Sequence, residues 1–216
     1  MEMERVNDQT LGEEIANAVS HGVGALLSIA GTAVAIVYAC FHSDTMGIVS
    51  ASLFGFSLIL LYLISALYHS LANNLAKKVF RVLDHCSIFI LILGTITPVA
   101  LSLIRGALGW TLFGINAGVT VVGIVFNAID LKRWHKVSLV LYVLMGWSVL
   151  LAIRPILSKV PASGLWFLIG GGVLYTVGII FYKMKHHRYM HYVWHLFVLG
   201  GSILHYFFVL FYALPV

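Results

Sequence analysis

Charge is scarce in this chain. Asp, Glu, Lys and Arg make up 10% of its 216 residues, where soluble domains carry about one quarter. With 61% hydrophobic residues and a mean hydropathy of +0.99, the surface cannot be a water-facing one, and the chain reads as an integral membrane protein. Cysteine is nearly absent. Cys40 and Cys86 are the only two, and they fall on opposite sides of the membrane in the topology below, so no disulfide is expected between them. There is no internal repeat and no low-complexity segment. The polar, acidic start, Met1 to Glu14, lacks the basic residues, short apolar stretch and cleavage site of a signal peptide. The first apolar run is therefore expected to be retained.

What is abundant is long apolar sequence. A spanning helix needs roughly 20 mostly apolar residues. Seven stretches qualify, near 17–41, 47–71, 82–104, 109–129, 137–156, 163–183 and 191–213. Their short connections predict an all-α, seven-transmembrane bundle forming a single integral-membrane domain over residues 1–216. Pro98 is expected to kink the third span. Gly170, Gly171 and Gly172 either admit a close neighbour to the sixth or simply weaken it. Asn116 and Asn127 are expected to bond between helices. Trp110, Trp147, Trp166 and Trp194 read as interface or packing aromatics.

Lys and Arg set the orientation. With a cytoplasmic N-terminus, the inner segments hold Arg5, Lys77, Lys78, Arg81, Lys132, Arg133, Lys136, Lys183, Lys185 and Arg188, ten in all. The outer segments hold three: Arg105, Arg154 and Lys159. The N-terminus is expected inside and the C-terminus outside, in a multi-pass cell-membrane protein. This asymmetry, with anionic cytoplasmic lipid, accounts for the net charge of +5. Nucleic acid is not needed to explain it.

Three of these spans bring ligand-type residues to one depth. His191 and His195 are four apart, one above the other on a helix face. That spacing lets two imidazoles share a metal. Ser65 and His69 fall at the cytoplasmic end of the second span, and Asp84 and His85 in the first turn of the third. His69, His191 and His195 thus form a candidate three-histidine site. Zinc with three protein ligands keeps one position open, and a water there is acidified toward a pKa of about 7. Asp84 either binds the metal or acts as general base. Ser65 either orients His69 or donates to an oxyanion.

Plainer roles exist for each residue. His69 suits a helix end at the interface, and Asp84 suits a pair with Arg81 or Lys78 or its own helix N-terminus. Ser65 suits a bond to its own backbone, and His191 a basic cluster with His186, His187 and Arg188. His205 lies ten residues beyond His195, about 15 Å deeper, too far to share an ion. It is expected to make an interhelical hydrogen bond or line a cavity. His21, after Ser20, reads as a packed histidine or as a contact to the site or its substrate. His85 and Cys86 point to other faces than Asp84.

Together these residues match a known pattern. Ser65-Ala-Leu-Tyr-His69, Leu83-Asp84, and His191 through His195 to His205 follow S-x3-H, an early third-span aspartate, and H-x3-H-x9-H. The chain resembles the progestin and adipoQ receptor family, most closely its bacterial hemolysin III branch, from Glu13 to Tyr212. The resemblance implies a seven-helix bundle holding zinc near the cytoplasmic face. The ligands carry over to His69, His191 and His195, and Asp84 matches an aspartate that reaches the zinc through water. Ser65 belongs to the same motif. The adiponectin receptors share this pattern, and the alkaline ceramidases of the wider superfamily suggest a lipid amide substrate.

The expected function is a zinc-dependent hydrolase of a lipid amide or ester, with Asp84 and Ser65 as catalytic residues and membrane lipid as substrate or ligand. The alternatives are a non-enzymatic lipid sensor with structural zinc, or a haemolysin. The sequence has no soluble-to-membrane conversion segment for the last. A proton transporter using Asp84, His205 and His21 lacks the inverted repeat of such proteins.

Overall fold

The computed structural model describes residues 9–184 and 186–215. Arg5 and Lys185, both counted for the orientation, lie outside the described residues. Among the described residues the structure is helical throughout, without strands. The helices are α1 (Leu11–His42), α2 (Thr45–Ser70), α3 (Leu75–Thr97), α4 (Gly106–Trp147), α5 (Ile153–Lys159), α6 (Ala162–Lys183) and α7 (Met190–Phe208). Six segments are long and apolar enough to cross a membrane: Leu11–His42, Thr45–Ser70, Leu75–Ile104, Gly106–Lys159, Ala162–Lys183 and Met190–Ala213. Their outward faces leave large apolar side chains bare, such as Leu26, Val121 and Trp166. In a multi-pass membrane protein those faces meet lipid.

Local chemistry sets the helix starts. α1 opens on a capping box, in which the Thr10 hydroxyl accepts from the Glu13 amide and the Glu13 carboxylate accepts from the Thr10 amide. α2 is capped by Asp44, whose Oδ1 accepts from the Gly47 amide at 3.0 Å. The Gly47 bond chiefly, with Arg105 Nη1 2.9 Å from the other oxygen, holds the Asp44 carboxyl below its ordinary range. α3 starts at Leu75, capped by Asn74, and not near residue 82. Hydropathy marks only where the apolar run begins, and the helix extends ahead of it through a charged, amphipathic stretch. Asp84 consequently sits in the third turn of α3, not its first. α1 likewise starts at Leu11, six residues before its apolar stretch, and takes Glu13 and Glu14 into the helix.

Pro98 does not simply kink its span. It opens a π-helical stretch, Pro98–Ile104, that continues α3. There the Arg105 amide reaches back five residues to the Ala100 carbonyl. This segment with α3 is the best-buried of the six, with 72% of its apolar window inside the protein. It is the centre of the bundle.

The fourth segment is 54 residues long. Hydropathy divides it into 109–129 and 137–156, and the structure bends it with one non-helical residue, Asp130 (φ −158°, ψ 94°). Asp130 Oδ1 accepts from the Arg133 amide at 3.0 Å, capping the arm that follows. The two arms then lie side by side. Asn116 Nδ2 donates to Ser148 Oγ at 2.9 Å, although 32 residues separate them. Near the bend, the buried Asn127 accepts from Ser138 Oγ at 2.7 Å and donates to Tyr142 Oη at 3.4 Å. Both asparagines thus bond between helical arms, as their isolation in apolar sequence predicts. Cys40 and Cys86 are free thiols.

Candidate metal centre

His191 and His195, in the first two turns of α7, and His69, in the last turn of α2, meet at one end of the bundle. The ligand nitrogens of His69, His191 and His195 all lie within 4.8 Å of one another. His69 and His195 are buried, at 3% and 2% exposure, and His191 is partly buried. The geometry therefore brings together the three histidines that the sequence singles out.

Hydrogen-bond chemistry assigns the ring nitrogens. His69 Nδ1 lies 2.7 Å from Glu14 Oε2. A carboxylate only accepts, so Nδ1 carries the proton, and Nε2 keeps its lone pair. That Nε2 is buried and has no hydrogen-bond partner. His195 Nδ1 lies 3.4 Å from Ser20 Oγ. Ser20 already donates its proton to the Asn17 carbonyl at 2.9 Å, so it accepts from His195 and leaves that Nε2 aprotic as well. The unpartnered His69 lone pair, buried this deeply, costs about 1–3 kcal/mol, which a metal ion would offset. Three imidazoles form a donor set that zinc accepts, and the residues present fit such an ion.

The other predicted residues divide. Ser65, Asp84, His191 and His195 line a cavity of about 30 Å³, room for about two waters. His69 approaches the same cluster from behind, its ring centroid 5.0 Å from that of His195. Asp84 is mostly buried, its side chain 13% exposed, with Oδ2 3.9 Å from His85 Nδ1. His85 is not turned away as its position beside Asp84 suggests. It donates from Nδ1 to the Arg81 carbonyl at 2.9 Å, and its Nε2 lies 3.4 Å from Tyr182 Oη. It lines the small cavity together with Asp84.

His21 is closer to the centre than a packing role requires. It stacks on His195 at 3.6 Å between centroids, lies edge-on to Tyr62 at 5.0 Å, and lines the same cavity. Gly24 permits this: a Cβ there would meet the Tyr62 ring at 2.6 Å. His205 combines its two predicted roles. Its Nε2 donates to the Leu168 carbonyl at 3.1 Å, and its ring faces a second cavity.

That second cavity, about 110 Å³, is overwhelmingly apolar and lies among α3, the second arm of α4, α6 and α7. It shares Leu61, His85, Ile88, Tyr182, Trp194 and Val198 with the small one. The two spaces adjoin, the smaller beside the histidines and Asp84 and the larger, greasier one reaching to His205.

Sequence reasoning missed Glu14, whose partners His69 and Lys77 lie across the fold. The available signal was the stripe Glu14, Asn17, His21, Gly24 and Ser28, polar or small at helical spacing, which marks the protein-facing side of a membrane helix.

The family model described as haemolysin-III related matches residues 9–206. Hemolysin-3 of Bacillus cereus is 43% identical over 207 residues, covering 96% of this chain and 94% of the relative. The hemolysin-3 homolog of Bacillus subtilis (strain 168) is 42% identical over 207 residues, covering 96% and 97%. The human monocyte to macrophage differentiation factor is 25% identical over 210 residues, covering 92% and 83%. No solved structure matches the chain. With a family match across nearly its whole length and apolar helices throughout, this chain belongs to the haemolysin-III-related family of multi-pass membrane proteins.

Proposed function

We propose that this protein is an intramembrane zinc-dependent hydrolase of a lipid amide or ester. It would have seven membrane crossings, a cytoplasmic N-terminus and an extracytoplasmic C-terminus. One observation carries the reading. Ser65, Asp84, His191 and His195 line a small cavity, with His69 behind it completing the three-imidazole cluster, and that cavity adjoins a larger apolar one. That pairing suits a substrate with a polar scissile bond and a hydrocarbon chain. The seven crossings follow from length: a continuous 54-residue helix would be roughly 80 Å long, far beyond a hydrocarbon core of about 30 Å.

His69, His191 and His195 would hold the metal. When bound there, a zinc ion supplies Lewis acidity and an acidified water. Asp84 takes up a proton at its carboxylate and returns it to the leaving nitrogen or oxygen. Ser65 donates its hydroxyl proton to the carbonyl oxygen as negative charge builds on it. The apolar cavity takes the acyl chain and excludes water from the bond being cut. Burial of His69 and His195 between α2 and α7 also favours a second reading, in which the metal only staples the bundle.

The test uses detergent-purified protein. About one zinc per chain is expected in wild type and lost in His191→Ala and His195→Ala. Vesicles carrying a fluorescent N-acyl lipid amide, or the matching ester, should be hydrolysed by wild type and not by Asp84→Asn. Metal bound without turnover of either lipid would sink the hydrolase and leave the staple. No metal in folded, zinc-supplemented wild type would sink both.

A further inference from the structure

The histidine motif lies on α2 and α7, yet α1 reaches two of the three candidate ligands, His69 and His195, and the backbone just ahead of the third. Glu14 Oε2 accepts from His69 Nδ1 at 2.7 Å on α2, and its Oε1 pairs with Lys77 Nζ at 2.9 Å on α3. Lys77 is itself buried, donating to the Leu71 carbonyl at 3.1 Å. Glu13 Oε1 accepts from the Tyr189 amide at 2.7 Å. Tyr189 is the left-handed residue (φ 62°) just ahead of α7, two before His191. Ser20 accepts from His195 Nδ1 at 3.4 Å, and His21 stacks on the same ring.

We infer that α1 carries the outer ring of the metal site, with Glu14 and Ser20 as positioning residues that fix the ring orientation and tautomer of His69 and His195. This rests on the metal reading above. Each acceptor holds the proton on Nδ1 and points Nε2 inward. Glu14 adds negative charge, which makes His69 the more basic ligand. Lys77 pairs with the Glu14 carboxylate inside the protein at 2.9 Å. Glu13 acts on the backbone instead, tying the start of α7 to the same turn of α1. One turn of α1 thereby sets the distance between the α2 and α7 ligands.

The design of the test follows from the Glu14–Lys77 pair. Glu14→Ala alone would strand a buried lysine, so the charges are removed together. Glu14→Gln/Lys77→Met keeps an acceptor for His69, and Glu14→Leu/Lys77→Met removes it. Zinc affinity is read by competition with a chelator, and ligand geometry by the visible absorption of cobalt-loaded protein. Outer-ring partners of metal-bound histidines are worth about 10–100-fold in affinity. A loss of that size is expected for Glu14→Leu/Lys77→Met, with an altered cobalt spectrum, while Glu14→Gln/Lys77→Met recovers much of it. Ser20→Ala, a smaller change that leaves the ion pair intact, should also weaken zinc binding and perturb the spectrum.

Wild-type affinity and an unchanged cobalt spectrum in folded Glu14→Leu/Lys77→Met would overturn the inference while the metal site stands. If that double variant does not fold, an unaltered Ser20→Ala overturns it. Equal loss of thermal stability in both double variants, without any spectral change, would assign Glu14 to packing alone. Wild-type protein that binds neither zinc nor cobalt would remove the metal reading itself.

Discussion

The fold-back at Asp130 can be tested through Asn116 and Ser148. On a continuous helix, residues 32 apart would be separated by roughly 48 Å, and no energetic coupling would pass between them. In the hairpin, Asn116 Nδ2 donates to Ser148 Oγ at 2.9 Å. The serine proton goes to the Met145 carbonyl at 2.6 Å, in preference to Asn116 Oδ1 at 3.3 Å. The pair therefore shares one good hydrogen bond. Asn116 also donates to the Leu112 carbonyl at 2.8 Å, which moderates the cost of losing the serine. Side-chain hydrogen bonds within membranes average about 0.6 kcal/mol in double-mutant cycles, with a maximum near 1.7. A coupling of about 0.6 kcal/mol, close to threefold in the unfolding constant, is the expected value. The assay is a cycle of Asn116→Ala, Ser148→Ala and the double variant, unfolded in mixed micelles by titrated denaturing detergent. The pair Asn127 and Ser138, at 2.7 Å, should couple by a similar amount. Coupling indistinguishable from zero in both cycles would refute the hairpin, and with it the argument for two crossings in this segment.

Other outcomes follow from the same geometry. Asp84→Asn should keep its zinc and lose about 10²–10⁴-fold in lipid hydrolysis, the usual worth of a general acid–base group; metal analysis beside vesicle turnover separates the two. Gly171→Ala would drive a methyl group to 2.5 Å from the His205 ring, which is fixed by its bond to Leu168. Such overpacking should destabilise the protein by roughly 1–3 kcal/mol, measured by thermal unfolding in detergent, whereas Gly172→Ala, at 3.5 Å from Trp147, should be tolerated. The Asp44 carboxyl is held below its ordinary value of 3.8 by the Gly47 amide and Arg105. Its contribution is therefore full above about pH 4 and fades as pH falls through the lower folded value. Asp44→Asn keeps the cap and lacks the charge, so its stability should depend less steeply on pH over that acid range.

Hydropathy located the apolar runs well because bilayer thickness sets their length, but it could not find where the helices begin. α1 and α3 both extend beyond the apolar core, to Leu11 and Leu75, because Thr10 and Asn74 cap them in the polar zone. The π-helical turn after Pro98 was equally hidden. A proline announces a missing amide, while the way the backbone absorbs it depends on what surrounds it, here the fully enclosed stretch up to Ile104. The bend at Asp130 was legible only as a run of charge, Lys132, Arg133 and Lys136. The residue that makes it is an aspartate acting as a helix cap.

The site was half legible for a related reason. His69, Asp84, His191 and His195 stand out because a polar side chain in an apolar run is costly, and their shared depth follows from counting residues from one membrane face. Glu14 sits where acidic residues are ordinary, in the first turn of a helix, and so carries no such mark. Its importance comes from contact with His69, 55 residues on, and with Lys77 on a third helix. Neither contact has a sequence period. The histidines would be recognisable in any order of helix packing, whereas what His69 and His195 meet at Nδ1 depends on which helix lies behind the ring. α1 occupies that place, with Gly24 letting it close on Tyr62. The candidate ligand set is thus legible in the motif, while the partners behind His69 and His195 are a property of the fold. Changes to α1 should accordingly alter how tightly a metal is held without altering which residues hold it.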